Sequence, residues 1–529
     1  MSRVKLAVVA ALVGVALVPS AHAVTFSAAV PTGPALTELA AADSALVGLE
    51  HDPAAERLVR SAGGARLSAR LGIWGLSGAA AARLLPRLEQ LGALRYAEPA
   101  RPRDALVRFT DPLSTPELGY HLYAIGANAA EPPGPGFPVT IIDSGIDLGH
   151  PDFAGRPDTI QLNAQFVEAS NPDEYHGTAV ASTAAAAVNG VGAEGVYPQA
   201  LIRTYDLPDL SDASVIAGIE AAMAAGPSVI NMSLGGSAPS RAEYEVIVRA
   251  VGTGSLVVAA AGNELEHGNP TLYPASYPHV LTVGATSRAG AASVFSSASS
   301  SVDLAAPGEE LPFQNRTDPA RHESVDGTSF AAPIVSAAAA WVRTVRGAMN
   351  PTQLADLLRS TAKDVDVPGF DERTGFGLLD IPAAVAAPIP PVDPQEPNDD
   401  ISQVVAGSVF SQAKSLVSPR FNARLDATED PADVYRVSVP KGRKLTATVT
   451  PSADVRVALF GPAARTVVGT RARLAVSDRP GRSVETVTYT NRGRGTAVLY
   501  LHVRPTPRAE IANPRYTVSL TRARAPAQR

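Results

Sequence analysis

Pro138-Val-Thr-Ile-Ile142 runs directly into Asp143-Ser-Gly145, so a short apolar stretch stops on a carboxylate and a turn glycine. A β-branched run without polar alternation reads as a strand buried on both faces, the situation in a parallel sheet covered by helices. Ser228-Val-Ile-Asn-Met-Ser233, Leu256-Val-Val-Ala-Ala260 and His279-Val-Leu-Thr-Val283 have the same character. The first two of these follow helical patterns over 213–225 and 241–251. Strands that alternate with helices predict an α/β domain with a mostly parallel central sheet. Ligands of such sheets bind beyond the carboxyl ends of the strands, which is where Asp143 and Asn263 fall.

The text changes on both sides of this core. Upstream, residues 24–102 are rich in alanine and arginine. Strand patterns at 44–49, 65–74 and 94–96 and helical patterns at 54–61 and 77–91 predict a small α+β unit. A proline-marked linker follows, containing Pro99, Pro102, Pro112 and Pro116. Downstream, Pro388-Ile-Pro-Pro-Val-Asp-Pro-Gln-Glu-Pro397 continues neither a helix nor a central strand. Beyond it, alternating runs at 434–439, 445–449, 455–460, 497–503 and 516–520 predict an all-β sandwich. The expected organisation is a targeting segment over 1–23, the α+β unit and linker over 24–109, the α/β domain over 110–387, a proline-rich spacer over 388–398 and the sandwich over 399–529.

Composition bounds the chemistry. The 529 residues contain no cysteine, which excludes disulfides, thiolate metal sites and a cysteine nucleophile. A net charge of -6 gives no reason to expect nucleic acid as a partner. Arg3 and Lys5, the apolar run Leu6–Val18 and Ala21-His-Ala23 have the form of a secretory signal with a small-x-small cleavage site. The apolar run is too short to cross a bilayer as a helix. Export followed by release, with no membrane attachment, is the expectation.

Serine becomes a useful nucleophile only when a base takes its proton and fixed dipoles receive the oxyanion. Gly327-Thr-Ser-Phe-Ala-Ala-Pro333 sets Ser329 at a small-residue turn before the apolar helix 331–342, a pattern that exceeds the needs of an N-cap. His176-Gly-Thr opens an alanine-rich helix, and of nine histidines it alone does so. His150, inside Gly149-His-Pro-Asp152, reads as structural. Asp143 at a strand end can hold one imidazole nitrogen as a donor. Alone, that aspartate is more often plain turn chemistry. Asn263 in Ala260-Ala-Gly262-Asn263 can offer a side-chain N–H to an oxyanion, and Ser233-Leu234-Gly235 offers an exposed edge on which an extended peptide can pair.

The order Asp143, His176, Ser329 is that of subtilisin. Asp143-Ser-Gly-Ile-Asp147, His176-Gly-Thr178, Asn231-Met-Ser-Leu-Gly-Gly236, Ala260-Ala-Gly-Asn263 and Gly327-Thr-Ser-Phe-Ala-Ala-Pro333 resemble the signature blocks of the subtilase family. The segments at 273–278, 302–308 and 375–379 agree with it. The resemblance implies a subtilisin-like three-layer domain and a secreted serine endopeptidase working through an acyl-enzyme. It implies Asp143, His176 and Ser329 as the triad and Asn263 in the oxyanion hole. Ser233, Leu234 and Gly235 would pair with the substrate backbone, Gly262 would join the substrate-binding set, and Leu272 would floor the first specificity pocket with Glu264 at its rim. Residues 24–109 are similar to the family's propeptide, an intramolecular inhibitor. The sandwich, starting with Glu396-Pro-Asn-Asp399 and carrying Asp430-Pro-Ala-Asp-Val-Tyr435, resembles the bacterial pre-peptidase C-terminal domain, a module appended to many secreted peptidases and often removed during maturation.

Some positions depart from the family pattern. Ala179 stands where many relatives have a second histidine, and Ser144 replaces the commoner threonine. The loop 187–192 is short where relatives often bind calcium, so no cofactor and no metal ligand are expected. Proteins or peptides are the expected substrates, and the chain is expected to act as a monomer. The alternative is a catalytically inactive subtilase scaffold serving as a secreted binding protein. An esterase would want a Gly-x-Ser-x-Gly elbow and the order Ser, acid, His, which this chain lacks.

Overall fold

The computed structural model describes residues 34–100, 111–154, 156, 159–164, 175–315, 321–408, 410, 415–416, 418–506 and 514–525. The secretory signal read at 1–23 and part of the linker before 110 lie outside the described residues. Contacts divide the chain into two compact units, 1–106 and 107–529.

The first unit is built from α1 (Pro34–Ala41), β1 (Ala45–Leu49), α2 (Pro53–Ser61), β2 (Ala65–Ser68), β3 (Ile73–Leu76), α3 (Gly78–Gln90) and β4 (Leu94–Pro99). The strands form one antiparallel sheet in the order β2-β3-β1-β4. Both interior helices start on side-chain caps: Asp52 accepts from the Ala54 and Ala55 amides, and Ser77 from the Ala80 amide. Val47, Val59, Trp74, Leu85 and Leu88 meet in a core of their own.

The second unit opens with α4 (Tyr120–Ala124) and continues through β5 (Val139–Asp143), β6 (Thr159–Gln161), α5 (His176–Ala185), β7 (Ile202–Asp206), α6 (Asp212–Ala224), β8 (Val229–Met232), α7 (Arg241–Gly252), β9 (Leu256–Ala260), β10 (Val280–Thr286) and β11 (Val302–Pro307). A short hairpin, β12 (Leu311–Gln314) and β13 (His322–Val325), precedes α8 (Thr328–Arg346), α9 (Pro351–Thr361) and α10 (Ile381–Ala386). The seven strands β5–β11 make one parallel sheet in the order β11-β10-β9-β8-β5-β7-β6.

Every residue of β5, β8, β9 and β10 is buried, because helices cover both faces. Successive residues alternate between two cores. Ile141 and Val258 face the layer of α5 and α8, whereas Ile142 and Val257 face α6 and α7. The expected three layers are present. The chain leaves β5 for β7 on one side and returns to β8 on the other, so the order reverses between β5 and β8. That switch point leaves a crevice at the carboxyl ends of both strands. Asp143 ends the first, and Ser233 follows the second.

The remaining strands follow α11 (Ile401–Val404): β14 (Arg420–Arg424), β15 (Asp433–Val439), β16 (Arg443–Pro451), β17 (Val455–Phe460), β18 (Arg473–Ser477), β19 (Glu485–Thr490), β20 (Ala497–Pro505) and β21 (Arg515–Arg524). They form two antiparallel four-stranded sheets, β14-β21-β16-β19 and β15-β20-β17-β18. Alternate residues such as Leu445, Ala447 and Val449 meet Val455, Val457 and Leu459 in a common core.

A buried ionic network joins this region to the α/β layers. Arg359 on α9 donates to Asp303 at 2.9 Å and to Asp356 at 2.6 Å, and approaches Asp426 at 3.8 Å. Removing one member leaves an uncompensated buried charge, which costs about 3–5 kcal/mol. Arg359→Ala should therefore lower the unfolding free energy by that amount in urea titration. A loss of a few tenths would show that the network is energetically idle.

Candidate active site

Asp143 is held at the tip of a central strand and is almost fully buried. Its Oδ1 accepts from the Ser144 amide and from His176 Nδ1, both at 2.8 Å. Because Nδ1 carries the proton toward the carboxylate, Nε2 is the nitrogen left as an acceptor. The side chain of His176 retains 36 % exposure on the cleft side. Burial lowers the affinity of this imidazole for a proton, but the charge of Asp143 and its hydrogen bond outweigh that, and the pKa is raised above 6.5.

The histidine reaches this position because its helix starts almost in contact with the loop after β5. A Cβ on Gly177 would stand 2.4 Å from the Gly145 carbonyl and 3.1 Å from Asp143 Oδ1, so only glycine permits the approach. The Gly177 amide donates to Ser144 Oγ at 3.0 Å. Ser144 thus supplies a hydroxyl to the helix start. The Asp147 amide donates to Thr178 Oγ1 at 2.9 Å, a second tie between the same two segments.

Helix α8 begins at Thr328, earlier than the 331–342 expected, so Ser329 is the second helical residue. The Thr328 amide and hydroxyl both donate to Asn263 Oδ1 at 2.9 Å, which caps the first turn from another strand. With Oδ1 committed there, the Nδ2 amide of Asn263 is the end left to act as a donor. The Ser329 amide is one of the first-turn N–H groups that a helix leaves without an intrahelical acceptor. Pro333 lies four residues on and has no N–H for the Ser329 carbonyl. Ser233 Oγ donates to that carbonyl at 2.7 Å instead. The Ser329 hydroxyl in turn faces the Ser233 carbonyl at 3.4 Å. Phe330 packs on the His176 ring with centroids 5.6 Å apart, which brings the starts of α5 and α8 together. Among the described residues no hydrogen bond links Ser329 Oγ to His176.

A cleft of about 560 Å³ is lined by Asp143, His176, Ser233, Leu234, Gly235 and Phe330. Gly262 and Leu272 are not among the lining residues, although Leu272 Cβ lies 3.9 Å from where a Cβ on Gly235 would stand. At φ +102° a Cβ on Gly262 would stand 2.1 Å from Leu272 Cδ1, so this glycine makes room for the leucine. Gly236 and Tyr273 pair backbone to backbone, which places Leu272 beside Gly235. Glu264 interacts with His267 at 3.4 Å. His150 is buried, stacks on Phe313 and contacts the Gln314 carbonyl at 2.8 Å, which is a packing role. Tyr175, Leu207, Leu210 and Glu323 also line the cleft without having been singled out by sequence. Leu210 is 77 % exposed in the turn before α6, a property that the sequence does not display.

Residues 134–377 match the model of the subtilase family. The chain is 38 % identical over 256 residues to a subtilisin of Bacillus pumilus, spanning 46 % of this chain and 90 % of the relative. It is likewise 38 % identical over 256 residues to subtilisin E of Bacillus subtilis (strain 168), 46 % of this chain and 65 % of that protein's length. Among solved structures, fervidolysin from Fervidobacterium pennivorans, a keratinolytic enzyme related to subtilisin, overlays with a TM-score of 0.49 at 20 % identity over 84 % of each chain.

Proposed function

Since the chain belongs to the subtilase family and is a serine endopeptidase of that family, we propose that Ser329 is its nucleophile, His176 the general base and Asp143 the residue that orients the base. The observation that carries this reading is the 2.8 Å bond from His176 Nδ1 to a buried Asp143, which leaves Nε2 on the cleft side next to the start of α8. In the reaction the Ser329 hydroxyl turns from the Ser233 carbonyl toward His176 Nε2, a tightening that substrate binding supplies in many enzymes. The oxygen attacks the peptide carbonyl as Nε2 takes its proton, and Asp143 stabilises the imidazolium. His176 then protonates the leaving amine, and water hydrolyses the acyl-enzyme.

The Asn263 amide and the Ser329 N–H receive the oxyanion in this scheme. Asn263→Ala should lower kcat by about 10²–10³ with little change in KM. That magnitude is carried over from the corresponding asparagine of subtilisin. Steady-state kinetics on a peptide anilide decide the point. A variant with unchanged kcat places the oxyanion elsewhere.

Ser233, Leu234 and Gly235 would pair with an extended substrate, and Leu272 would floor a shallow pocket for medium apolar side chains. The reading extends to secretion by the N-terminal signal and to inhibition by the first unit acting as a propeptide. Among the described residues no helix is long and apolar enough to cross a membrane. The inactive-scaffold alternative is less favoured, because a binding protein has no need of a buried carboxylate oriented on a cleft histidine.

A further inference from the structure

The charge of the chain is unevenly divided. Residues 399–529 hold 21 lysines and arginines against 10 aspartates and glutamates, although the whole chain has a net charge of -6. Burial sharpens the contrast. Asp426, Glu429, Asp430, Asp433 and Glu485 are buried, and Asp478 is the one exposed carboxylate among the described residues of 399–525. Twelve lysines and arginines of the same stretch are exposed. A surface of one sign is the electrostatic footprint of a partner of the other sign.

Part of this charge gathers at the end of the sandwich away from the α/β layers. β15 starts beside the spacer, where the Val434 amide donates to the Asn398 carbonyl, and Arg424 at the end of β14 pairs with Asp356 of α9. The far ends of the strands carry Lys441 and Arg443 where β15 turns into β16, Arg492 and Arg494 between β19 and β20, and Arg524 at the end of β21. Backbone bonds hold these segments together. The Gly442 amide donates to the Asn491 carbonyl at 3.0 Å, the Asn491 amide to the Arg443 carbonyl at 2.9 Å and the Ala525 amide to the Gly442 carbonyl at 2.8 Å. Residues 440–444, 490–496 and 521–525 include no carboxylate, no aromatic ring and no large apolar side chain. No ion pair among the described residues involves any of the five cations. An open sheet face runs from this end. Leu445, Ala447 and Val449 of β16 enter the core, so Lys444, Thr446 and Thr448 stand on the opposite face. Thr446 lies between Thr488 and Thr521, and Thr448 between Thr486 and Ser519. With neighbouring strands about 4.8 Å apart, their hydroxyls form two rows across the sheet.

We propose that this end of the sandwich, with the hydroxyl rows beside it, docks on an acidic polysaccharide. Its carboxylates or sulfates would pair with the guanidinium and ammonium groups of the turns, and its sugar hydroxyls with the rows of threonine and serine. Other polyanions match fewer of these features. Single-stranded nucleic acid is held on aromatic platforms, and a lipid surface takes up an inserted apolar face. The three segments offer neither. Duplex DNA supplies phosphates but no free sugar hydroxyls along its backbone, which would leave the rows without a counterpart. None of these residues lines the cleft, and the inference does not rest on the catalytic assignment.

The test measures binding of the full chain to labelled polygalacturonate, beside two variants that each lose four charges. K441Q/R443Q/R492Q/R494Q should weaken binding at least about tenfold, whereas R479Q/R482Q/R504Q/R515Q, at the opposite end of the sandwich, should change it less than about twofold. T446V/T488V keeps the charge and should still weaken polygalacturonate severalfold, with duplex DNA unaffected. Equal losses in the two quadruple variants overturn the proposal, because net charge alone would then explain the binding. Tighter binding of duplex DNA or of phosphatidylglycerol vesicles than of polygalacturonate, at about 150 mM salt, overturns the choice of partner. If the first variant does not fold, salt decides on the wild-type chain. Its affinity for polygalacturonate should fall steeply between about 50 and 200 mM salt, with neutral dextran unbound throughout. A salt-independent affinity overturns the proposal equally.

Discussion

Ser329→Ala should abolish peptide hydrolysis, lowering kcat by about 10⁶, and should leave residues 24–106 attached to the rest of the chain. The size of the loss is the one established for the nucleophile of subtilisin, and it reflects how completely the chemistry depends on one oxygen. Alanine removes only the hydroxyl. The helix start survives, because its cap is the pair of bonds from Thr328 to Asn263 and the Ser329 carbonyl keeps its donor in Ser233. The variant should therefore fold, bind peptide and display unaltered circular dichroism while failing to cleave casein. Casein cleavage at the wild-type rate by that protein would remove Ser329 from the reaction.

Asp143→Asn should lower kcat by about 10⁴ and change the pH profile as well. The carboxylate accepts from both the Ser144 amide and His176 Nδ1 through one oxygen. An asparagine can turn its amide toward Nδ1, which then becomes the acceptor and puts the proton on Nε2, the wrong nitrogen for a base. The sign of the pH effect follows from the forces on the imidazole. Only neutral His176 can accept the serine proton, so activity rises as the ring deprotonates. Its pKa is raised above 6.5 because Asp143 outweighs burial, and the ascending limb of kcat/KM should be centred above pH 6.5 in the wild type. Without the charge, burial alone remains and the limb should move to lower pH. An unchanged limb would mean that the group titrating in the profile is not this histidine.

Much of the fold is legible in the sequence where burial is two-sided. β5, β8, β9 and β10 are continuous apolar runs because helices cover both faces, and all four can be read from composition alone. The strands that escape notice are mostly those at sheet edges. β14, β18 and β19 lie at the margins of the two sandwich sheets, few of their residues are fully buried, and their apolar pattern is correspondingly thin. β7 is central, but Ile202-Arg-Thr-Tyr-Asp206 mixes polar side chains into a strand with every second residue buried. Helix α1 has no acidic residue in its first turn and no basic residue in its last turn to mark it.

The candidate site divides in the same way. Asp143, His176, Asn263 and Ser329 each sit in a short block whose residue types announce a turn or a helix start. The bonds that align them are not local. The exchange between Ser233 and Ser329 spans 96 positions, and the cap of Asn263 on Thr328 spans 65. Gly177 reads as a small residue after a histidine, and only the approach to the Gly145 carbonyl explains it.

Labelling the chain with a serine-directed phosphonate and mapping the modified peptide tests the central claim most directly. The reagent reacts only with a serine whose proton a neighbouring base can take and whose oxyanion is stabilised. One phosphonate per chain, on Ser329, with labelling lost in both Ser329→Ala and Asp143→Asn, is the predicted result. Modification of a different serine, or an unlabelled protein that still hydrolyses peptides, would contradict it.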